Sequence, residues 1–508
     1  MLGHKTALSG ALMVAARLLS RVIDLCAMLI LARLLAPVDF GLAAIAMTMV
    51  TILEAALELP LSQALVQLPR IETHYLHTAF TIGLLRGLLL CVLCAGFAIP
   101  FANWYGHPEL TPLILVLSLA PASRGLQNPR LAEYAKALNF KYEFCFELGG
   151  KGLAFLAGSL TAYFTHSYWA IAFCTIAAPA STSLLGYIFI PYRPRLSLRD
   201  WRLFGDFLGW ISLSQIVMAV NFQSDQLMLG KLMPVARLGL FSTANNLTFI
   251  PLNALFGPVL RPLLSAFTLM REDKTRLRES YQSAASAVVT IGLPLLVGQA
   301  AVAQPLVMTL LGPQWASAAP LFKWLSISLI PYLFGILLTP LGMALGQTRE
   351  IAQRNIVQLV VKLPLVVAGA IEYGFTGVIV ARLISETAAA LYCMVSIRKL
   401  SGLSLAMQIR VNLRAIVSCL SMLGAVLALD GLLRFPQNLS GQFLRLVLLI
   451  CIGAIVYTVC LLASWHLAGR PRGLEDTALR GLRTFSRRGF RRAPDVQPEM
   501  PPVEKVQS

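Results

Sequence analysis

Apolar residues in this chain gather in runs of about twenty, separated by short polar stretches, from near residue 8 to residue 467. A run of that length carries a helix across the hydrocarbon core of a bilayer. Barrel strands would instead show short segments of alternating polarity, and none are present. The pattern predicts an all-α polytopic membrane protein of about fourteen transmembrane helices. They are expected over 8–32, 40–66, 78–102, 110–127, 144–164, 167–190, 204–229, 238–262, 283–304, 318–345, 355–372, 374–397, 412–433 and 442–467. The first run contains Arg17, Arg21 and Asp24 and outlasts an ordinary signal-peptide core, so it reads as a retained helix.

Composition agrees. Of 508 residues, 57% are hydrophobic and 13% charged, with a mean hydropathy of +0.71. Soluble domains carry roughly 25% charge, so a soluble enzyme is excluded. A formal charge of +18 would suit a nucleic-acid binder, but its distribution does not. With the N-terminus inside, the cytoplasmic connections hold nineteen Lys and Arg, and the opposite ones hold only Arg33, Lys231, Arg237 and Arg434. That bias is the footprint of membrane topology, and it alternates through all fourteen spans. No nucleic-acid partner is expected, and both termini are expected in the cytoplasm.

All nine cysteines lie in or beside apolar runs, and His74 and His77 have no ligand in register. No metal or cofactor is expected. Residues 468–508 are Arg-rich, then Pro-rich. Leu474, Ala478, Leu482 and Phe485 could form a short amphipathic helix on anionic lipid, though a solvated basic tail fits the same residues.

An internal repeat organises the spans. Ala32-Arg33-Leu34-Leu35 precedes Gly41-Leu42 by the same interval at which Gly230-Lys231-Leu232-Met233 precedes Gly239-Leu240, 198 residues later. Both copies connect the first and second spans of a six-span unit. A repeat after six spans keeps its orientation, which predicts two lobes related by an axis along the membrane normal. The expected organisation is 1–200 for one lobe, 201–400 for the second, 401–467 for two added helices, and 468–508 for the tail.

Ionisable groups in mid-span cost about 2.5–3.5 kcal/mol each on insertion scales. Besides Arg124 and Arg414 at span ends, counted above with the cytoplasmic connections, nine Lys and Arg lie within the expected spans, so most should face protein or water. Arg17, Arg21 and Asp24 share a face of the first span. Thr51, Glu54, Glu58 and Ser62 form a stripe on the second. Ser214, Asn221 and Asp225 share a face of the seventh, and Asn246, Asn253, Gly257 and Arg261 one of the eighth. Glu147 with Lys151, and Arg382 with Glu386, stand four apart and are expected to neutralise each other. Arg17, Arg21 and Arg261 are the candidate anion-binding residues, because a guanidinium fork matches phosphate oxygens. Asp24, Glu54, Glu58 and Asp225 are candidates for ion coupling or for gating salt bridges.

The stretch from Leu31 to Leu42, Leu-Ala-Arg-Leu-Leu-Ala-Pro-Val-Asp-Phe-Gly-Leu, resembles the opening signature of bacterial polysaccharide flippases. These belong to the multidrug/oligosaccharidyl-lipid/polysaccharide exporter superfamily. Asp225-Gln-Leu-Met-Leu-Gly230, Gly312-Pro-Gln-Trp315 and Leu341-Gly-Met-Ala-Leu-Gly-Gln347 extend the resemblance over about residues 10–400. It implies two six-helix lobes, alternating access and a cationic cavity in a bacterial inner-membrane protein. The implied substrate is a polyprenyl-pyrophosphate-linked oligosaccharide, received by a polysaccharide polymerase or export machinery. Fourteen spans resemble the related lipid II flippases, whereas many polysaccharide flippases have twelve. The alternative is a cation-coupled drug or metabolite exporter of the same superfamily, working through the intramembrane acids. A membrane enzyme is disfavoured: the chain has no Asp-x-Asp and no large outer loop.

Overall fold

The computed structural model describes residues 19–59, 61–137, 139, 141–202, 210–433, 436 and 438–469, with backbone alone at 63, 67, 210–214 and 261. Arg17, Arg434, the beginnings of the first and seventh spans and the tail helix expected after 470 lie outside the described residues.

Among the described residues, fourteen helical segments follow one another, besides short helices such as Leu61–Gln67, Leu131–Lys136, Ala303–Leu310 and Leu405–Arg410. They are α1 (19–34), α2 (Pro37–Ala56), α3 (Thr73–Tyr105), α4 (Leu110–Gly125), α5 (Lys141–Thr165), α6 (Trp169–Phe189) and α7 (Trp210–Leu232). Then come α8 (Val235–Leu269), α9 (Lys274–Ala301), α10 (Pro313–Ala344), α11 (348–373), α12 (375–401), α13 (Leu413–Leu432) and α14 (Leu439–Leu467). No strand occurs among the described residues. α5 and α7 are less apolar because each carries polar residues that meet other helices: Glu147 and Lys151 reach Ser20 and Asp24 on α1, and Asn221 and Asp225 are buried.

α11 and α12 together make a run of 54 residues, Thr348–Ser401, broken only at Gly374. Straight, it would reach about 80 Å, far beyond one crossing. Instead it folds back at Gly374, whose φ of 60° and ψ of −132° suit glycine and few other residues. The halves run antiparallel: Tyr392 Oη donates to Glu350 Oε2 at 2.8 Å, and Gln358 Nε2 to Glu386 Oε1 at 2.6 Å. Two spans with almost no loop result.

The second expected span is not continuous. α2 stops at Ala56, residues 57–59 are non-helical, and a short helix resumes at Leu61–Gln67. Leu59 precedes Pro60, and a residue before proline is driven out of the helical region.

The helices form two six-helix lobes, α1–α6 and α7–α12, with α13 and α14 appended to the second. α13 packs on α9, and α14 packs on the Ala303–Leu310 helix. Tyr457 Oη on α14 donates to the Thr290 carbonyl at 2.7 Å. The lobes meet chiefly where α2 lies against α7 and α8. One apolar core crosses that seam, joining Leu42, Ile45 and Met49 to Leu229, Leu238 and Phe241.

The seam is tightest at the two copies of the repeat. A Cβ on Gly41 would strike the Val235 carbonyl oxygen, and one on Gly239 would strike that of Pro37. The two contacts are equivalent, since Pro37 and Gly41 plus 198 are Val235 and Gly239. Only glycine lets the backbones come this close. Arg33 donates to the Thr309 and Leu310 carbonyls, at the end of the helix after α9, and Lys231 donates to the Trp104 carbonyl near the end of α3. Each lobe thus places a cation on helix C-terminal carbonyls of the other, where the helix dipole favours positive charge. The molecule is closed at this end.

Candidate functional site

Beyond the seam, toward the opposite end, the lobes part around a cavity of about 830 Å³. α2, α3 and α4 wall it on one side, and α7, α8, α11 and α12 on the other. Its lining carries five cations, Arg86, Arg124, Arg354, Lys362 and Arg382, against four acids, Glu54, Glu58, Asp225 and Glu386. One positive charge is in excess.

In the second lobe the charges form a buried network. Asp225, 3% exposed, receives Lys362 Nζ at 3.0 Å and lies 3.6 Å from an Arg382 guanidinium nitrogen, all through Oδ2. Lys362 also donates to the Asn221 carbonyl at 2.7 Å, and Arg382 to Asn245 Oδ1 at 2.7 Å. Glu386 accepts from Gln358 and lies 3.9 Å from Arg354. Arg382 therefore pairs with Asp225 on α7, and the expected i, i+4 pairing of Arg382 with Glu386 is replaced by contacts between helices. The contact crosses the α7–α12 interface and gives the buried Arg382 a carboxylate, while Glu386 is taken up by Gln358 and Arg354.

In the first lobe Glu54 pairs with Arg124, tying α2 to α4. Arg86 on α3 donates to the Glu54 carbonyl at 3.3 Å. Glu58, in the non-helical stretch, is exposed to the cavity. Of the expected coupling residues, Glu54, Glu58 and Asp225 thus share this cavity.

Asp24 does not. It binds Lys151 on α5 at 2.6 Å and Arg21 at 3.6 Å. Lys151 also lies 3.8 Å from Glu147, its expected i, i+4 partner. Arg21 lines a smaller pocket of about 240 Å³ with Ser20, Glu147, Asn253 and Gly257. Asn253 belongs to both pockets, so Arg21 sits beside the main cavity rather than in it. Arg261 is one helical turn beyond Gly257 on α8, and its side chain lies outside the described residues, as does Arg17.

Sequence reasoning missed Arg124 and Arg354 as lining residues because they end or begin helices, where they read as topological charge. Arg86, Lys362 and Arg382 were visible as intramembrane cations, but nothing local says that they converge.

A two-lobed bundle enclosing a charged central cavity defines a transporter-type membrane protein. The chain matches the model of the polysaccharide biosynthesis protein family over residues 30–320, more than half its length, and belongs to that family. It is 26% identical over 319 residues to the succinoglycan biosynthesis transport protein ExoT of Rhizobium meliloti (strain 1021), covering 60% of this chain and 64% of that protein. The match thus spans slightly under two thirds of that relative's length. It is 25% identical over 361 residues to the lipopolysaccharide biosynthesis protein WzxC of Escherichia coli (strain K12), covering 69% and 72%. Among solved structures, the lipid II flippase MurJ in an inward closed conformation superposes with a TM-score of 0.71 at 16% identity, over 91% of this chain and all of that one. An inward-facing multidrug transporter of the MATE family, in the MOP superfamily, gives 0.58 at 16% identity, over 76% and 96%. These likenesses establish the fold.

Proposed function

We propose that this protein carries a polyprenyl-pyrophosphate-linked oligosaccharide from the inner to the outer leaflet of the bacterial inner membrane by alternating access, for surface polysaccharide export. The observation that carries the reading is the charge of the cavity. Asp225 is shared by two buried cations, so this cluster holds surplus positive charge in a low-dielectric setting. Such a charge is costly until an anion arrives, and a pyrophosphate supplies one. Family membership and the names of the relatives support the same substrate class.

With the cation bias of the loops setting both termini in the cytoplasm, the closed seam lies outside and the cavity opens inward. The substrate would enter from the cytoplasmic leaflet past Arg21, with Arg17 and Arg261 as further candidate anion-binding residues, and the head group would settle against the cavity cations. Opening the α2–α8 seam would then release it outward, toward a polymerase. The drug-exporter alternative requires an acid free to take up a coupling cation; Asp225 already holds two cations and Glu54 holds Arg124, which leaves Glu58 as its candidate.

The test is a deletion strain in which lipid-linked oligosaccharide on each face of the inner membrane is measured with surface glycan. Inner-face accumulation with lost glycan is expected. Wild type should restore export, while Arg124→Gln with Arg354→Gln, or Arg17→Ala with Arg261→Ala, at equal protein levels should not. Unchanged glycan with altered tolerance of small cationic compounds would overturn the proposal in favour of the drug exporter.

A further inference from the structure

The break in α2 lies between the charged cavity and a second, apolar space. Non-helical backbone at membrane depth is tolerated where it lines a cavity or is buried in protein. Residues 57–59 fit that condition on one side, where Glu58 and Leu59 face the charged cavity. On the other side Leu57 and Leu59 belong to a separate apolar groove of about 300 Å³ between α2 and α3, completed by Ala56, Ile82, Leu85 and Leu89. Leu85 and Leu89 are 49% and 46% exposed.

One polar residue is common to both spaces: Arg86 lines the cavity and also the groove. Glu54 and Glu58 are near enough to act on its charge, but neither carboxylate bonds it. Arg124 has Glu54, Arg354 has Glu386, and Lys362 and Arg382 have Asp225. Arg86 has no carboxylate within ion-pair distance among the described residues. It makes one long bond to a carbonyl, and its buried Nε has no partner. A guanidinium in this state is an open seat for an anion, set at the boundary between a wet cavity and an apolar slot.

We infer that the α2–α3 groove seats the isoprenoid chain of the phosphorylated lipid whose head group Arg86 holds. The inference rests on the flippase reading and deepens it, by giving the lipid chain a place outside the cavity while its phosphates are inside. A ligand with charge at one end and a long apolar chain at the other satisfies both faces of Arg86. A free sugar nucleotide would leave the groove unused.

The experiment uses the full chain in phosphatidylcholine nanodiscs, with photoreactive benzoylphenylalanine introduced at Leu89 and undecaprenyl pyrophosphate as probe. Crosslinking to the probe is expected, without competition from excess phosphatidylglycerol. Arg86→Gln should reduce it about tenfold, from the loss of one charge-assisted hydrogen bond, and Arg86→Lys should retain most of it. The same photoreactive group at Leu160 on α5, 57% exposed, should give none. Equal crosslinking at Leu160, full competition by phosphatidylglycerol, or indifference to Arg86→Gln would reduce the groove to a surface wetted by bulk lipid. Filling it with Ala56→Leu and Leu85→Trp should also cut complementation of the deletion strain. Unaffected complementation would overturn the groove and leave the flippase reading standing, whereas a wild-type chain that binds no undecaprenyl pyrophosphate would overturn both.

Discussion

Asp225 holds the second lobe's charges together, and its two partners are not equivalent. Removing the Lys362 charge leaves Asp225 with Arg382, one against one. Removing the Asp225 charge leaves two buried cations with no carboxylate between them. Asp225→Asn should therefore destabilise by about 3–5 kcal/mol, and Lys362→Met by clearly less. Thermal unfolding of the two purified variants in one detergent checks the order, and equal losses would mean that the triad does not share charge as described. Position 382 shows how far residue identity alone reaches. Arg382 was recognisable as an intramembrane cation, but helical spacing paired it with Glu386. Its real partner is 157 positions away in sequence, on a helix that no local rule could have brought to it.

At the scale of elements, hydropathy located nearly every helix, because the transfer of a twenty-residue segment into lipid depends mainly on that segment. It missed the interruption of the second span, although Pro60 is a local signal for it, and it put the α11–α12 junction at 373, one residue from Gly374. α2 is interrupted at 57–59, where the cavity wall and the groove meet. α11 and α12 join without a loop, because Gly374 turns the chain and Gly369 packs against Gly377 directly beside it. The α2–α8 contact is the element on which opening depends. Gly239→Ala puts a methyl group against the Pro37 carbonyl, and overpacking of this kind costs about 1–3 kcal/mol. The cost falls on the closed seam alone. In a background whose native cysteines are replaced, Leu238→Cys is expected to label slowly with an impermeant maleimide from outside, and Gly239→Ala should speed that labelling about tenfold. Unchanged labelling would mean that the seam does not open at these glycines.

For the molecule as a whole, the two lobes clasp each other reciprocally. Arg33 holds the end of the segment after α9, and Lys231 holds the end of α3. Beside them, Trp315 Nε1 donates to the Ala32 carbonyl at 2.7 Å, and Tyr105 Oη donates to that of Leu227 at 3.0 Å. Two equivalent clasps should contribute comparably to keeping the outer end shut. Arg33→Gln and Lys231→Gln should each raise the outward-open population, and together they should raise it more. Distances between spin labels placed on α4 and α10 near that end would report it. A shift from one variant alone would show that the clasps are not equivalent.

The amino-acid sequence by itself determined the class of protein, the helices, the loop charge bias and the repeat. These follow from composition and local periodicity, which a segment carries wherever it sits. That the repeat copies at 41 and 239 touch each other, that Asp225 is claimed by two cations, and that Arg86 lines both the cavity and the α2–α3 groove were decided only by the tertiary structure. Charge pairing and backbone approach depend on distances of a few ångströms between residues as much as 202 positions apart, and no local pattern encodes those distances.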